Sequence, residues 1–131
     1  MAWADRVVRL LDAGTYSVSM ARIAAGERPV RAFAVKRDTQ TGVDQTVVAL
    51  LEFASGAVAQ VSSSMATALH RHCIILGERG IIESDYSNHG PEGSLALRVK
   101  PGATRDVAFR EESVAAGDGF RLEAEAFARM V

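Results

Sequence analysis

Asp12 and Tyr16 stand four residues apart in the stretch Leu10-Leu11-Asp12-Ala13-Gly14-Thr15-Tyr16-Ser17-Val18-Ser19-Met20-Ala21-Arg22. On a helix this spacing stacks a carboxylate and a phenol one turn apart on the same face. A carboxylate beside a hydroxyl orients it, shifts its pKa and serves a proton transfer to or from a substrate oxygen, provided bulk water is kept out. The same spacing has a structural reading. Asp near a helix start answers unpaired N–H groups and the positive end of the dipole, and a Tyr one turn later packs into a core. Arg22, a turn and a half beyond Tyr16, either touches a substrate or caps helix carbonyls, and its place near the helix end favours the cap.

Two other groupings invite chemistry and carry less of it. His70 and His72 on a strand face one way and Cys73 the other, so at most two of them could ligate, where zinc takes three or four. No metal site is expected there. Ser62-Ser63-Ser64 lacks the flanking glycines of a nucleophile elbow, so these are read as strand-face hydroxyls.

The chain has 131 residues, with 15 basic and 16 acidic side chains and a net charge of -1. That length fits one domain, residues 1–131, which buries roughly two thirds of its unfolded surface. The charge balance gives no case for nucleic acid or an anionic membrane. Apolar runs are broken well short of the roughly 18 residues a membrane span requires. The lone Cys73 cannot form an internal disulfide, and Met1-Ala2-Trp3-Ala4-Asp5-Arg6 carries no secretion signal, so a cytoplasmic, reducing compartment is expected. Trp3 is a candidate anchor in an otherwise ambiguous start.

The elements that must position Asp12 and Tyr16 follow from hydrophobic period. Val7, Leu11, Gly14, Val18, Ala21 and Ala25 form a helical stripe, stopped by Gly26 and then Pro29. Gly14 within it costs about 1 kcal/mol relative to Ala, which marks close approach of a backbone or ligand. Val30 to Lys36 reads as a strand, and Thr46 to Phe53 and Ala57 to Met65 as a hairpin around Ala54-Ser55-Gly56. Leu69 to Leu76 and Gly80 to Ser84 form a second hairpin, and Asn88 to Gly93 is a loop. Leu95 to Lys100 and Arg105 to Arg110 form a third hairpin, of edge strands by their charge. A helix starts near Asp118 or Gly119. The fold class is α+β, with a mixed, mainly antiparallel open sheet and helices packed on one face.

Taken in succession, Leu-Leu-Asp-x-Gly-x-Tyr, Ala21-Arg22, Gly26-Glu27-Arg28-Pro29-Val30, Gly42-Val43-Asp44-Gln45-Thr46, Leu51-Glu52-Phe53-Ala54-Ser55-Gly56-Ala57 and Leu76-Gly77-Glu78-Arg79-Gly80-Ile81-Ile82 form an ordered set. The set resembles the C-terminal domain of the glucose-fructose oxidoreductase, inositol dehydrogenase and MocA-like family. The resemblance implies NAD(P)-dependent oxidation of an alcohol carbon, with a Rossmann domain that binds the cofactor and this domain lining the substrate pocket and the oligomer interface. It also implies that Asp12 and Tyr16 are the acid/base pair, with Tyr in place of His similar to the glucose-fructose oxidoreductase and dihydrodiol dehydrogenase branch. The Glu-Lys-Pro segment whose Lys would lower the Tyr pKa is not in this chain, nor is a Gly-x-Gly-x-x-Gly turn between strand and helix.

The expectation is therefore a substrate-side domain for a sugar, cyclitol or diol. By itself it binds no cofactor and is inactive, NAD or NADP belonging to the missing Rossmann domain. It is expected to form a homodimer or higher homo-oligomer through the open sheet face. The alternative is a stand-alone, non-catalytic dimerisation or ligand-binding module.

Overall fold

The computed structural model describes residues 10–85 and 93–130. Trp3, Val7 at the head of the helical stripe, and positions 88–92 of the expected loop lie outside them. The chain divides into two compact units, one ending at Leu69 and the other beginning at His70.

Among its described residues the first unit opens on a π turn, Leu10–Gly14, that runs directly into helix α1, Thr15–Ala25. Gly26 ends the helix as expected: it adopts φ 73°, and its N–H returns to Arg22 O at 2.9 Å. A side chain at that φ would meet its own carbonyl, which is why glycine is favoured there. Three strands follow, β1 (Pro29–Asp38), β2 (Asp44–Phe53) and β3 (Val58–Ser64), paired antiparallel in that order.

Strand β2 is central and alternates strictly over its later half. Val47, Ala49, Leu51 and Phe53 are buried, while Val48 and Leu50 face out. The buried row is the core of the unit, and α1 lies along β3 with the π turn against β2 and β3. Burying an apolar row of this kind on one face is what fixes strand register, because a slip of one residue would turn the whole row outward.

The helix is tied to the sheet at its exit as well as by packing. Glu27 Oε1 accepts the Ser55 N–H at 3.0 Å, across the β2–β3 turn. Along the helix, the Ser17 hydroxyl donates to Ser62 O of the edge strand β3 at 3.3 Å.

The second unit holds a four-stranded sheet, β4 (Cys73–Gly77), β5 (Gly80–Ser84), β6 (Gly93–Pro101) and β7 (Arg110–Ala116), followed by α2 (Gly119–Ala128). Every pairing is antiparallel. The α+β class expected from the sequence is the class observed, with the strands shared between two sheets and no parallel pair among the described strands. Asp118 caps α2 as its position predicts, accepting the N–H groups of Phe120 and Arg121 at 3.0 and 3.3 Å.

Three details depart from the sequence reading. Strand β4 starts at Cys73 rather than Leu69. Strand β6 is an inner strand, its charge accounted for by Arg98, which pairs with Glu83 of the neighbouring β5 at 2.6 Å. The third hairpin closes through a longer connection, so that β7 runs over Arg110–Ala116 and not Arg105–Arg110. That connection carries Phe109 to the face of the Arg98 guanidinium, 4.5 Å from the ring centre, a cation–π contact that a tight turn at Pro101 would forfeit.

The bond from Ser55 gives the first unit an acid dependence. Its hydroxyl foremost, and then its N–H, hold the Glu27 carboxyl below its ordinary value of 4.5. A carboxyl with a depressed folded pKa contributes stability that is present above its unfolded pKa and is lost as pH falls through the folded one. Wild type should therefore lose stability below pH 4.5 that a Glu27→Gln variant does not lose, measured as the urea midpoint against pH. Parallel acid limbs for the two proteins would show that the contact contributes nothing.

Candidate functional site

Asp12 lies in the π turn and Tyr16 in the first turn of α1. A π turn accommodates more residues per turn than an α-helix, is rare, and recurs at functional sites as a single turn within a helical run. Here the change of winding falls at Gly14, which is buried at φ −69° and ψ −27°. These are ordinary helical angles, so the glycine is not required for a left-handed conformation. It is buried within a turn that lies against β2 and β3. The Thr15 hydroxyl donates to Asp12 O at 3.1 Å, supplying a carbonyl at the junction with a donor.

The two candidate acid/base residues are thus one turn apart on one continuous helical run. Side chains so related have Cβ atoms about 5–6 Å apart. Asp12 is exposed and Tyr16 is 41 % exposed. Both functional groups are reachable by a substrate, and neither is sealed in the apolar core.

Arg22 is exposed in the last turn of α1. Six residues on from Tyr16, it points about 120° away round the axis, and its contribution to the helix end is its carbonyl, which the Gly26 N–H fills. Asp12 and Tyr16 lie four residues apart on one helical run, and Arg22 lies on a different side of the helix.

A residue outside the sequence-predicted set belongs to this site. Asp44, at the start of β2, is 8 % exposed, and its Oδ2 accepts the Leu10 N–H at 2.7 Å. A buried carboxylate is costly unless it is hydrogen-bonded, and this charge-assisted bond fastens the first residue of the π turn to the sheet. Gly42-Val43-Asp44-Gln45-Thr46 stands out in the sequence as a motif piece, but the partner, 34 residues away, has no local signature.

The remaining groupings are structural. The His70 and His72 rings stack with centroids 5.9 Å apart, ahead of β4 rather than on it, and His72 Nδ1 meets Asp85 Oδ1 at 2.8 Å. Among the described residues no three His, Cys, Asp or Glu side chains converge as a metal site. Cys73 is half-buried, and burial pushes its thiol pKa up, away from reactivity. Of the three serines, Ser64 shares a hydrogen with Thr46 across the strands at 2.8 Å, and Ser63 Oγ is buried beneath them.

Comparison with known proteins places this arrangement. The family model described as the GFO/IDH/MocA C-terminal domain matches residues 3–83. D-xylose 1-dehydrogenase (NADP(+)) 2 of Haloferax volcanii is 33 % identical over 129 residues, covering 93 % of this chain and 37 % of its own length. Trans-1,2-dihydrobenzene-1,2-diol dehydrogenase of Oryctolagus cuniculus is 34 % identical over 82 residues, 62 % of this chain and 25 % of its own. Among solved structures, the aldose-aldose oxidoreductase of Caulobacter crescentus superimposes with a TM-score of 0.71 at 27 % identity, over 89 % of this chain and 35 % of that one. KijD10, a 3-ketoreductase from Actinomadura kijaniata, shares the fold with a TM-score of 0.79 at 21 % identity, over 93 % of this chain and 38 % of that one. The chain spans between a quarter and two fifths of the length of these relatives. With its helical run, its sheet and the family model in register over residues 3–83, the protein belongs to the GFO/IDH/MocA family, as its C-terminal domain.

Proposed function

We propose that this chain is the substrate-side domain of an NAD(P)-dependent oxidoreductase that interconverts an alcohol and a carbonyl on a sugar, cyclitol or diol. In this reading both units serve one substrate and oligomerisation domain, which is inactive without a cofactor domain. The observation that carries it is the pair Asp12 and Tyr16, accessible and one turn apart on a helical run fastened to the sheet, in a chain whose relatives are sugar and diol dehydrogenases.

The chemistry asks for a proton to be taken from, or given to, the substrate oxygen as its carbon changes oxidation level. Tyr16 Oη is the group that meets that oxygen. Asp12, one turn earlier, orients the phenol and accepts its hydrogen bond. An unperturbed phenol near pKa 10 is a weak base at neutral pH, so a cation contributed by another domain completes the pair. The described residues do not fit a dinucleotide. All their strand pairs are antiparallel, and where β7 leads through Gly117-Asp118-Gly119 into α2, the first N–H groups of the helix are already taken by the Asp118 carboxylate. A nicotinamide, which carries the hydride chemistry when bound, therefore has to be held elsewhere.

The outer face of the first sheet supports self-association. Phe33 and Val35 of β1, Val48 and Leu50 of β2, and Val58 of β3 share that face by register and are all exposed. The Arg31–Glu52 ion pair at 2.6 Å stands at its rim. An apolar patch rimmed by charge is the form of a protein interface, and a two-fold axis would bury it against its own copy. A dimer or larger species in sedimentation velocity, reduced to monomer by Val35→Asp, is expected; a wild-type monomer at all concentrations would contradict it.

The acid/base assignment is tested in the intact protein with NADP and D-xylose or trans-1,2-dihydrobenzene-1,2-diol. Tyr16→Phe should lower kcat by about 10²-fold or more, the range for a lost general acid or base, and leave the circular dichroism spectrum unchanged. Asp12→Asn should lower kcat to a smaller extent. Turnover unaffected by Tyr16→Phe would remove the phenol from the reaction.

A further inference from the structure

We propose that Asp44 is a positioning residue for Asp12 and Tyr16, and that a bulge in β2 exists to aim it. The proposal rests on the acid/base reading of the pair for its functional meaning, and on geometry for everything else.

Strand β2 alternates, with odd positions from Val47 to Phe53 buried and Val48 and Leu50 exposed between them. Unbroken alternation would put Asp44 on the outer face with Thr46, Val48 and Leu50, away from the helix. The register with β1 is broken at one place near this end: Arg37 faces Thr46, and the next residue, Asp38, faces Asp44. Two residues of β2 there oppose one of β1, with Gln45 as the extra. A bulge of one residue inverts the alternation beyond it, and bulges recur where a strand must re-aim a side chain. The inversion turns the Asp44 carboxylate to the buried side, against the π turn.

The bond it makes there is placed to control the pair. Leu10 is the first residue of the turn, two before Asp12 and six before Tyr16. The Leu10 amide is held by a side chain from the sheet, a directional bond that fixes this part of the turn against rotation or sliding. Asp44 Oδ2 holds Leu10 N at 2.7 Å. Further along, the Thr15 hydroxyl holds Asp12 O and the Ser17 hydroxyl holds Ser62 O. Asp44 thus sets the rotation and height of the turn that carries Asp12 relative to the turn that carries Tyr16. It acts through the main chain and is not itself in contact with substrate.

Amide hydrogen exchange and Tyr16 signals, read by NMR on the 131-residue chain, test this. Asp44→Ala should speed exchange at the Leu10 amide roughly tenfold or more, the loss of one charge-assisted hydrogen bond. It should also shift the Tyr16 ring resonances, while the Ala49 and Val61 amides of the sheet keep their protection. Asp44→Asn, which retains a carbonyl acceptor, should restore most of the Leu10 protection and the Tyr16 signals. The proposal is overturned if Asp44→Ala leaves Leu10 and Tyr16 unchanged. It is also overturned if Ala49 and Val61 lose protection in both variants, which would make Asp44 a general fold residue. Failure of the acid/base reading looks different: Tyr16→Phe would leave turnover of the intact protein unaffected while the Asp44 results stand.

Discussion

Two carboxylates, each accepting a backbone N–H from a distant element, hold the opening helical run against the first sheet. Asp44 reaches from the sheet to the start of the run at Leu10, and Glu27 reaches from the exit of the run to the hairpin turn at Ser55. The apolar row Val47, Ala49, Leu51 and Phe53 supplies most of the attraction between the layers, but hydrophobic burial is non-directional and would tolerate a helix rotated or slid along its axis. Hydrogen bonds with defined donors and acceptors do not tolerate it. The proposed acid/base pair would need that second kind of restraint, because displacement by an ångström would take it out of reach of a substrate.

The motif pieces that mark this family acquire a physical reason from these contacts. Leu-Leu-Asp-x-Gly-x-Tyr meets Gly42-Val43-Asp44-Gln45-Thr46 through the Leu10 amide, and Gly26-Glu27 meets Ala54-Ser55-Gly56 through the Ser55 amide. Pieces far apart in the chain are the two sides of one joint. Much of what looks like a signature of function is the joinery that keeps Asp12 and Tyr16 in place.

What was legible in the sequence was local. Gly26 as a left-handed helix stop, Ala54-Ser55-Gly56 as a hairpin turn and Asp118 as a helix cap each depend on a few adjacent residues, and each is where the sequence puts it. The placing of Asp12 and Tyr16 on one helical run was legible for the same reason. The π turn, the bulge at Gln45 and the burial of Asp44 depend on partners far along the chain, and no local period announces them. The start of β7 at Arg110 also lies beside a distant partner, the Arg98 guanidinium over the Phe109 ring, that no local period announces.

The second unit is built by the same means, with Glu83 and Arg98 joining β5 to β6 and Asp118 starting α2. The functional account depends on the phenol of Tyr16 lying at the substrate oxygen. A crystal structure of the intact protein with NADP and a bound polyol measures that distance directly. The account predicts Tyr16 Oη within about 2.6–3.2 Å of the reacting oxygen, the reach of a proton transfer, with Asp12 on its far side; a substrate seated against other residues, with Tyr16 turned away from it, would contradict it.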